Sequence, residues 1–260
     1  MKRIFFIITL MLFVSVGVFA KTYKIELFSG NVRVSADNGA TWRAATVEQT
    51  LSENYIIKTG ANSFCEINMG ARGVFRLSEN SEIVLSTVKQ NEEKLTLRIG
   101  RALFNIFTRT SDADTFAVES SIAVAAVRGT KFALEVTDTD QTTSVLEGSV
   151  GIVRNVNIPA SGLLLEQLRS SLEVRAGANQ ELTVTLEENR QLEELMKRAR
   201  NVSELRRQLN ENRTFTQKRL RALENAKRLI DDMRTLDDEK YGDSEDAEAL
   251  DNLIDRVRDR

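Results

Sequence analysis

From about Tyr23 to Val184, apolar residues recur at every second position in short runs. In "NVRVSA", Val32 and Val34 point one way, Arg33 and Ser35 the other. "FCEINM" sets Cys65, Ile67 and Met69 against Phe64, Glu66 and Asn68. "KLTLRIG" sets Leu95, Leu97 and Ile99 against Lys94, Thr96 and Arg98. A period of two predicts half-buried strands. Each Leu, Ile or Phe so buried contributes ~1.5–3 kcal/mol, and a segment this long has enough of them for a core. Gly30, Gly100, Gly148 and Gly177 each stand just before such a run, where a glycine supplies positive φ or lets two backbones approach. Short strands punctuated this way predict a β-roll or sandwich of short stacked strands. The glycine interval is irregular, so no strict solenoid is implied.

The pattern changes at Glu187. From there to Lys240 the chain has no glycine or proline, and two seams follow a seven-residue step, apolar at their ends and polar in the middle. One seam runs Leu192, Ala199, Arg206, Arg213 and Leu220; a second runs Leu195, Val202, Leu209, Thr216, Leu223 and Ile230. This predicts a long helix, ~75 Å if unbroken. The alternative is a helical hairpin that turns at the polar "NENRT" of Asn210–Thr214 and folds Leu220–Leu236 onto Leu192–Leu209. A lone helix would leave the seam uncovered, so the segment is expected to mediate assembly with an envelope protein or with a second copy. Tyr241-Gly242 breaks the helix, and an acidic tail with a short helix follows.

The N-terminus changes the compartment. "MKR" followed by the apolar run Ile4–Phe19 and the small residues Val18 and Ala20 reads as a signal peptide cleaved after Ala20. The expected organisation is therefore a leader at 1–20, a β domain at 21–185, a helical coiled-coil segment at 186–240 and a tail at 241–260. The mature protein is expected in the periplasm or otherwise exported, without an integral membrane span.

Composition narrows the chemistry. There is no histidine, one cysteine (Cys65) and a net charge of −2. The commonest general base and zinc ligand are missing, no intramolecular disulfide can form, and no basic signature points to nucleic acid. The helical segment holds 14 basic and 12 acidic residues, a mixed field. No phosphate-binding loop, dinucleotide fingerprint or nucleophile elbow occurs. No cofactor, metal or catalytic residue is expected. A glycan-active enzyme would need paired carboxylates, for which Glu119, Glu135 and Glu147 qualify by type only.

"TWRAATVEQTLSENYIIKTGANSFCEI", with Trp42, Leu51, Ile56, Ile57, Thr59, Gly60, Asn62 and Ser63, resembles the early part of a FecR domain. "FRLSENSEIVL", "LRIGRALFNIF", "SVLEGSVGIV" and above all "FAVESSIAVAAVRGTKFALEV" resemble the rest. Its most recognisable stretch is Val127, Arg128, Gly129, Thr130 and Phe132. The resemblance spans roughly Tyr23 to Val184 and implies a periplasmic β domain. The family often has Thr-Pro where this chain has "ESS" at Glu119–Ser121. The regulator that names the family carries an anti-sigma segment and a membrane span before this domain, where a signal peptide is read here. The resemblance therefore implies fold and compartment, not sigma-factor control.

The motif residues read as structural. Gly129 fits a bulge or tight crossing within a strand. Thr130 would bond backbone groups freed there, and a buried Arg128 would satisfy carbonyls or a carboxylate such as Glu119 or Glu147. "KTGANSF" and "SENSEIV" are turn chemistry, with a row of polar loops binding a sugar or partner as the alternative. Asn38-Gly39 predicts a tight turn, and Trp42 reads as core rather than as a carbohydrate platform. The sum is a non-enzymatic exported binding or scaffolding module. The alternative is a periplasmic sensor that binds a small ligand and signals through a membrane partner.

Overall fold

Alternation in the first part of the chain resolves into two sheets. The computed structural model describes residues 23–88, 92–107, 115–223 and 226–237; the expected leader and acidic tail lie outside them. In chain order the strands are β1 (Tyr23–Ser29), β2 (Val32–Ser35), β3 (Arg43–Ala44), β4 (Thr50–Leu51), β5 (Ile56–Thr59), β6 (Phe64–Asn68), β7 (Gly73–Leu77) and β8 (Glu82–Val88). Then come β9 (Glu92–Ile106), β10 (Thr115–Glu119), β11 (Ala123–Val127), β12 (Thr130–Val136), β13 (Asp140–Glu147) and β14 (Ser149–Arg154). Helix α1 (Gly162–Ser170), β15 (Val174–Gly177), β16 (Gln180–Thr185), α2 (Leu186–Lys197), α3 (Val202–Gln217), β17 (Arg221–Ala222) and α4 (Ala226–Asp237) complete the order.

The first sheet runs β4-β1-β6-β7-β9-β12-β13-β16-β17, the second β3-β2-β5-β8-β9-β10-β11-β14-β15. Strand β9 belongs to both: up to Ile99 it pairs with β8 and β10, and from Gly100 with β7 and β12. All pairs are antiparallel except β9–β10. The inner faces share one core, in which Phe104 stacks on Phe75 at 5.6 Å and on Phe132 at 4.8 Å between centroids. That core also holds an ion pair. Arg72 donates to both oxygens of Glu93 at 3.1 and 3.3 Å, and the Tyr23 hydroxyl donates to the same carboxylate at 3.0 Å. Ile99 departs from the expected alternation: it is exposed, because the register with β8 slips beside it as β9 changes sheets.

The helical part is neither one rod nor the hairpin drawn above. Thr185 closes a capping box with Glu188 and starts α2. Asn201 accepts the Glu204 N–H at 2.9 Å and starts α3 afresh, so the turn falls near residue 200 rather than at 210–214. Strand β17 then joins the edge of the first sheet, with Arg221 opposite Glu181. Helix α4 does not return to α2 and α3. Its Leu229, Ile230, Met233 and Leu236 cover Val74, Leu103, Ala133 and Leu146 on the outer face of the first sheet, and Asp232 binds Arg101 at 2.8 Å. Leu192, Met196, Leu205 and Leu209 form another cluster with Val156, Ile158, Leu168 and Leu172. Of the seams expected to mediate assembly with an envelope protein or a second copy, Leu192 and Leu209 are thus covered within the chain, whereas Leu195 and Val202 remain exposed.

Candidate functional site

The residues singled out by sequence lie at two corners where the chain passes between the sheets. At the first, the buried Thr59 hydroxyl donates to the Ser78 carbonyl at 2.5 Å and accepts the Ser81 N–H at 3.0 Å. Gly60 donates its N–H to the Asn31 carbonyl at 2.9 Å and accepts from Asn80 N–H at 3.0 Å. Asn62 has φ 50° and donates its N–H to Glu79 at 2.7 Å. The Ser63 hydroxyl accepts the Asn31 N–H at 2.9 Å and donates to the Ala61 carbonyl at 2.9 Å. These bonds tie three crossings, β1 to β2, β5 to β6 and β7 to β8, into one row.

The second corner is Val127–Phe132. Val127 and Phe132 are buried in the core. Gly129 has φ 58° and lies in the connection from β11 to β12, not inside a strand as expected. The Thr130 hydroxyl lies 3.0 Å from the Ser149 carbonyl and 3.3 Å from that of Arg128. Opposite stands Gly148, where a Cβ would come within 2.5 Å of the Gly129 carbonyl oxygen, closer than any side chain tolerates. Arg128 is exposed, contrary to the buried position expected for it. Of the two carboxylates suggested for it, Glu119 binds Lys94 at 3.3 Å, and Glu147 reaches Lys131 at 3.8 Å. Both corners spend their polar groups on backbone geometry.

A different residue joins the sheets to the helices. Arg154, at the end of β14, is only 4% exposed. Its guanidinium donates to Asn189 at 3.0 Å, Glu188 at 3.1 Å and Thr216 at 3.0 Å, residues from both α2 and α3. Asn189 in turn donates to the Ile122 carbonyl at 2.7 Å. Burial, with Arg219 nearby, pulls the Arg154 pKa down to about 10, still charged at neutral pH. Arg219 also pairs with Glu188. Three side chains from two helices therefore converge on one buried cation at the end of a strand.

Held this way, α3 presents an outward face. Phe215 is 57% exposed and lines one recess with the exposed Arg206, Arg207 and Lys218; Arg213 lies on another side of the helix. Two recesses of about 640 and 530 Å³ adjoin this face and share Thr214 and Lys218. Arg207 is paired with Glu211 at 2.8 Å, whereas Arg213 and Lys218 have no carboxylate partner among the described residues. Glu135 and Glu181 line a cleft of about 250 Å³ beside α4, but Arg221 holds Glu181 at 2.8 Å and Ser144 donates to it at 3.3 Å. Among the described residues no group of three metal-ligating side chains meets, and no helix is long and apolar enough to cross a membrane.

Residues 55–151 match the family model described as FecR protein. This stretch is similar to a FecR domain. It takes in both motif corners and runs from the start of β5 into β14. The strands before and after it, including Trp42 and β15–β16, pair into the same two sheets although the match does not reach them. No curated protein matches the chain. Two crystal structures of a candidate anti-sigma factor from Parabacteroides distasonis are similar to it at 17% identity, with TM-scores of 0.39 and 0.38. Each covers 50% of this chain, which in turn spans about half of theirs, 54%.

The FecR domain's own signature thus describes how the sheets are joined. The residues that sequence reasoning passed over, Arg154, Asn189 and Phe215, lie outside it. Arg154 had a signal, a lone arginine ending the apolar run "SVGIV". Phe215 had one too: it is an aromatic residue off both heptad seams, so its side chain is not needed for either.

Proposed function

We propose that the protein is a non-enzymatic, exported binding module of the cell envelope, which docks a protein partner on the outer face of α3. The observation that carries this reading is the Arg154 hub, which fixes α2 and α3 on the two sheets and leaves Phe215 outside beside Arg206, Arg207 and Lys218, the last without a carboxylate partner among the described residues. An exposed aromatic flanked by cations on a rigid support is the composition of an interface anchor. The partner it fits is acidic around an apolar pocket. Export rests on "MKR", the apolar run and the small residues before Lys21. The helical segment remains the partner-binding element, but through its outer face, since Leu192, Leu205 and Leu209 are packed inside.

Two measurements test the reading. N-terminal sequencing of the exported fraction should begin at Lys21; membrane-bound protein starting at Met1 would contradict it. Cross-linking in intact cells from position 214, beside Phe215, should trap one envelope protein, and Phe215→Asp should abolish the adduct without changing the melting temperature. Equal trapping by Phe215→Asp would remove α3 as the docking face.

A further inference from the structure

A second surface lies on the outside of the second sheet. Asn31, Arg33, Trp42, Lys58, Thr59 and Gly60 line a cavity of about 430 Å³. Arg33 and Lys58 are exposed cross-strand neighbours on β2 and β5. Lys58 reaches Glu82 at 3.4 Å, but Arg98 holds the same carboxylate at 2.7 Å, so one anion serves two cations. Arg33 has no carboxylate partner among the described residues, and the Asn31 side-chain amide has no hydrogen-bond partner among them. Trp42 is half-buried and borders the cavity, not the core position expected for it.

The site is built before any ligand arrives. The turn that leads to Trp42 is pinned by Asp37, which accepts from the Ser35 hydroxyl at 2.7 Å, the Thr41 N–H at 2.8 Å and the Thr41 hydroxyl at 2.6 Å. Asn38 and Gly39 have φ 55° and 91°, as a tight turn requires. On the other side, Thr59 and Gly60 are fixed by the first corner. An indole face, two cations on neighbouring strands and a free amide recognise different parts of one molecule. The indole takes the apolar C–H face of a ring, the cations an anionic substituent, and the amide a hydroxyl.

We propose that this cavity binds an anionic sugar residue, a pyranose bearing a carboxylate or a phosphate, stacked on Trp42 and held by Arg33 and Lys58. The proposal is separate from the docking of a protein on α3, and neither depends on the other. Trp42 is the only tryptophan in the chain, so its emission reports this cavity alone.

The test titrates the mature chain with trigalacturonate and with glucose 6-phosphate, following tryptophan emission and heat. Maltotriose and inorganic phosphate are the neutral and ring-free controls. At least one anionic sugar should give a saturable emission change, with binding at least tenfold weaker for each control. Lys58→Gln and Arg33→Gln should each weaken binding by fivefold or more. Trp42→Phe should weaken it as well, read by calorimetry, with melting temperature as the check on folding. The proposal is overturned if neither anionic sugar binds at millimolar concentration. It is also overturned if maltotriose or inorganic phosphate binds equally well, or if binding survives all three substitutions.

Discussion

Gly129 and Arg128 are neighbours with opposite sensitivities. At φ 58° a branched residue is strained whatever surrounds it. Gly129→Val should therefore lower unfolding stability by about 1–3 kcal/mol. Arg128→Ala, at an exposed position, should change it by less than about 0.5 kcal/mol. Urea titrations of the two variants decide between this and a buried-arginine corner, in which the second change would be the costlier. Cys65 is fully buried, and burial, reinforced by Glu66, raises its thiol pKa to about 12. Because the thiolate is the reactive species, iodoacetamide at pH 8 should modify Cys65 only after unfolding. Alkylation at a free-thiol rate in the native protein would place it at the surface. Asp37 runs the other way. Hydrogen bonds from Thr41 and then Ser35 lower its pKa from 3.8 to about 2. A depressed carboxylate stabilises the turn above its unfolded pKa and loses that contribution as pH falls through about 4 towards 2. The Asp37 carboxyl carbon should titrate by NMR near 2; a midpoint near 4 would mean the turn is open.

Elements were legible to the extent that periodicity was undivided. Strands facing one core showed their alternation plainly, as at Cys65, Ile67 and Met69, all buried. "ALFNIF" and "SVLEG" broke it, since Leu103 and Leu146 face outward yet are apolar. That is the mark of a sheet covered on both faces, and it anticipated α4. The break between α2 and α3 was written in "NVSE", an Asn three residues before a Glu, which a seven-residue seam overrides on paper but not in space. The heptad was real as hydrophobicity and misleading as geometry: Leu192 and Leu209 are buried by the segment around Ile158 and Leu168, not by a second copy. Of the candidate site, the corners could be found because their glycines and hydroxyls are local signals. The Arg154 hub could not, since its partners are 34 to 62 residues away in sequence. Asn201→Ala should cost about 1 kcal/mol through the lost cap, read as a fall in thermal midpoint. No change would show that the turn at 198–201 is held by packing alone.

At the scale of the whole molecule, the helices and the sheets form one unit. Without Arg154 the hairpin would keep its apolar contacts but leave Asn189 and Glu188 without their main donor. Arg154→Met should therefore destabilise by about 3 kcal/mol, the low end for breaking a buried pair, because Glu188 is partly exposed and retains Arg219. The same rigidity is what makes α3 useful as a docking face, since a partner need not order it first. Hydrogen–deuterium exchange on the intact mature chain tests this most directly. Amides of α2 and α3 should be protected on the timescale of β9 and β12, and Arg154→Met should release the two helices ahead of the strands. Helices that exchange like an unfolded chain in the unmodified protein, while the strands remain protected, would contradict the account.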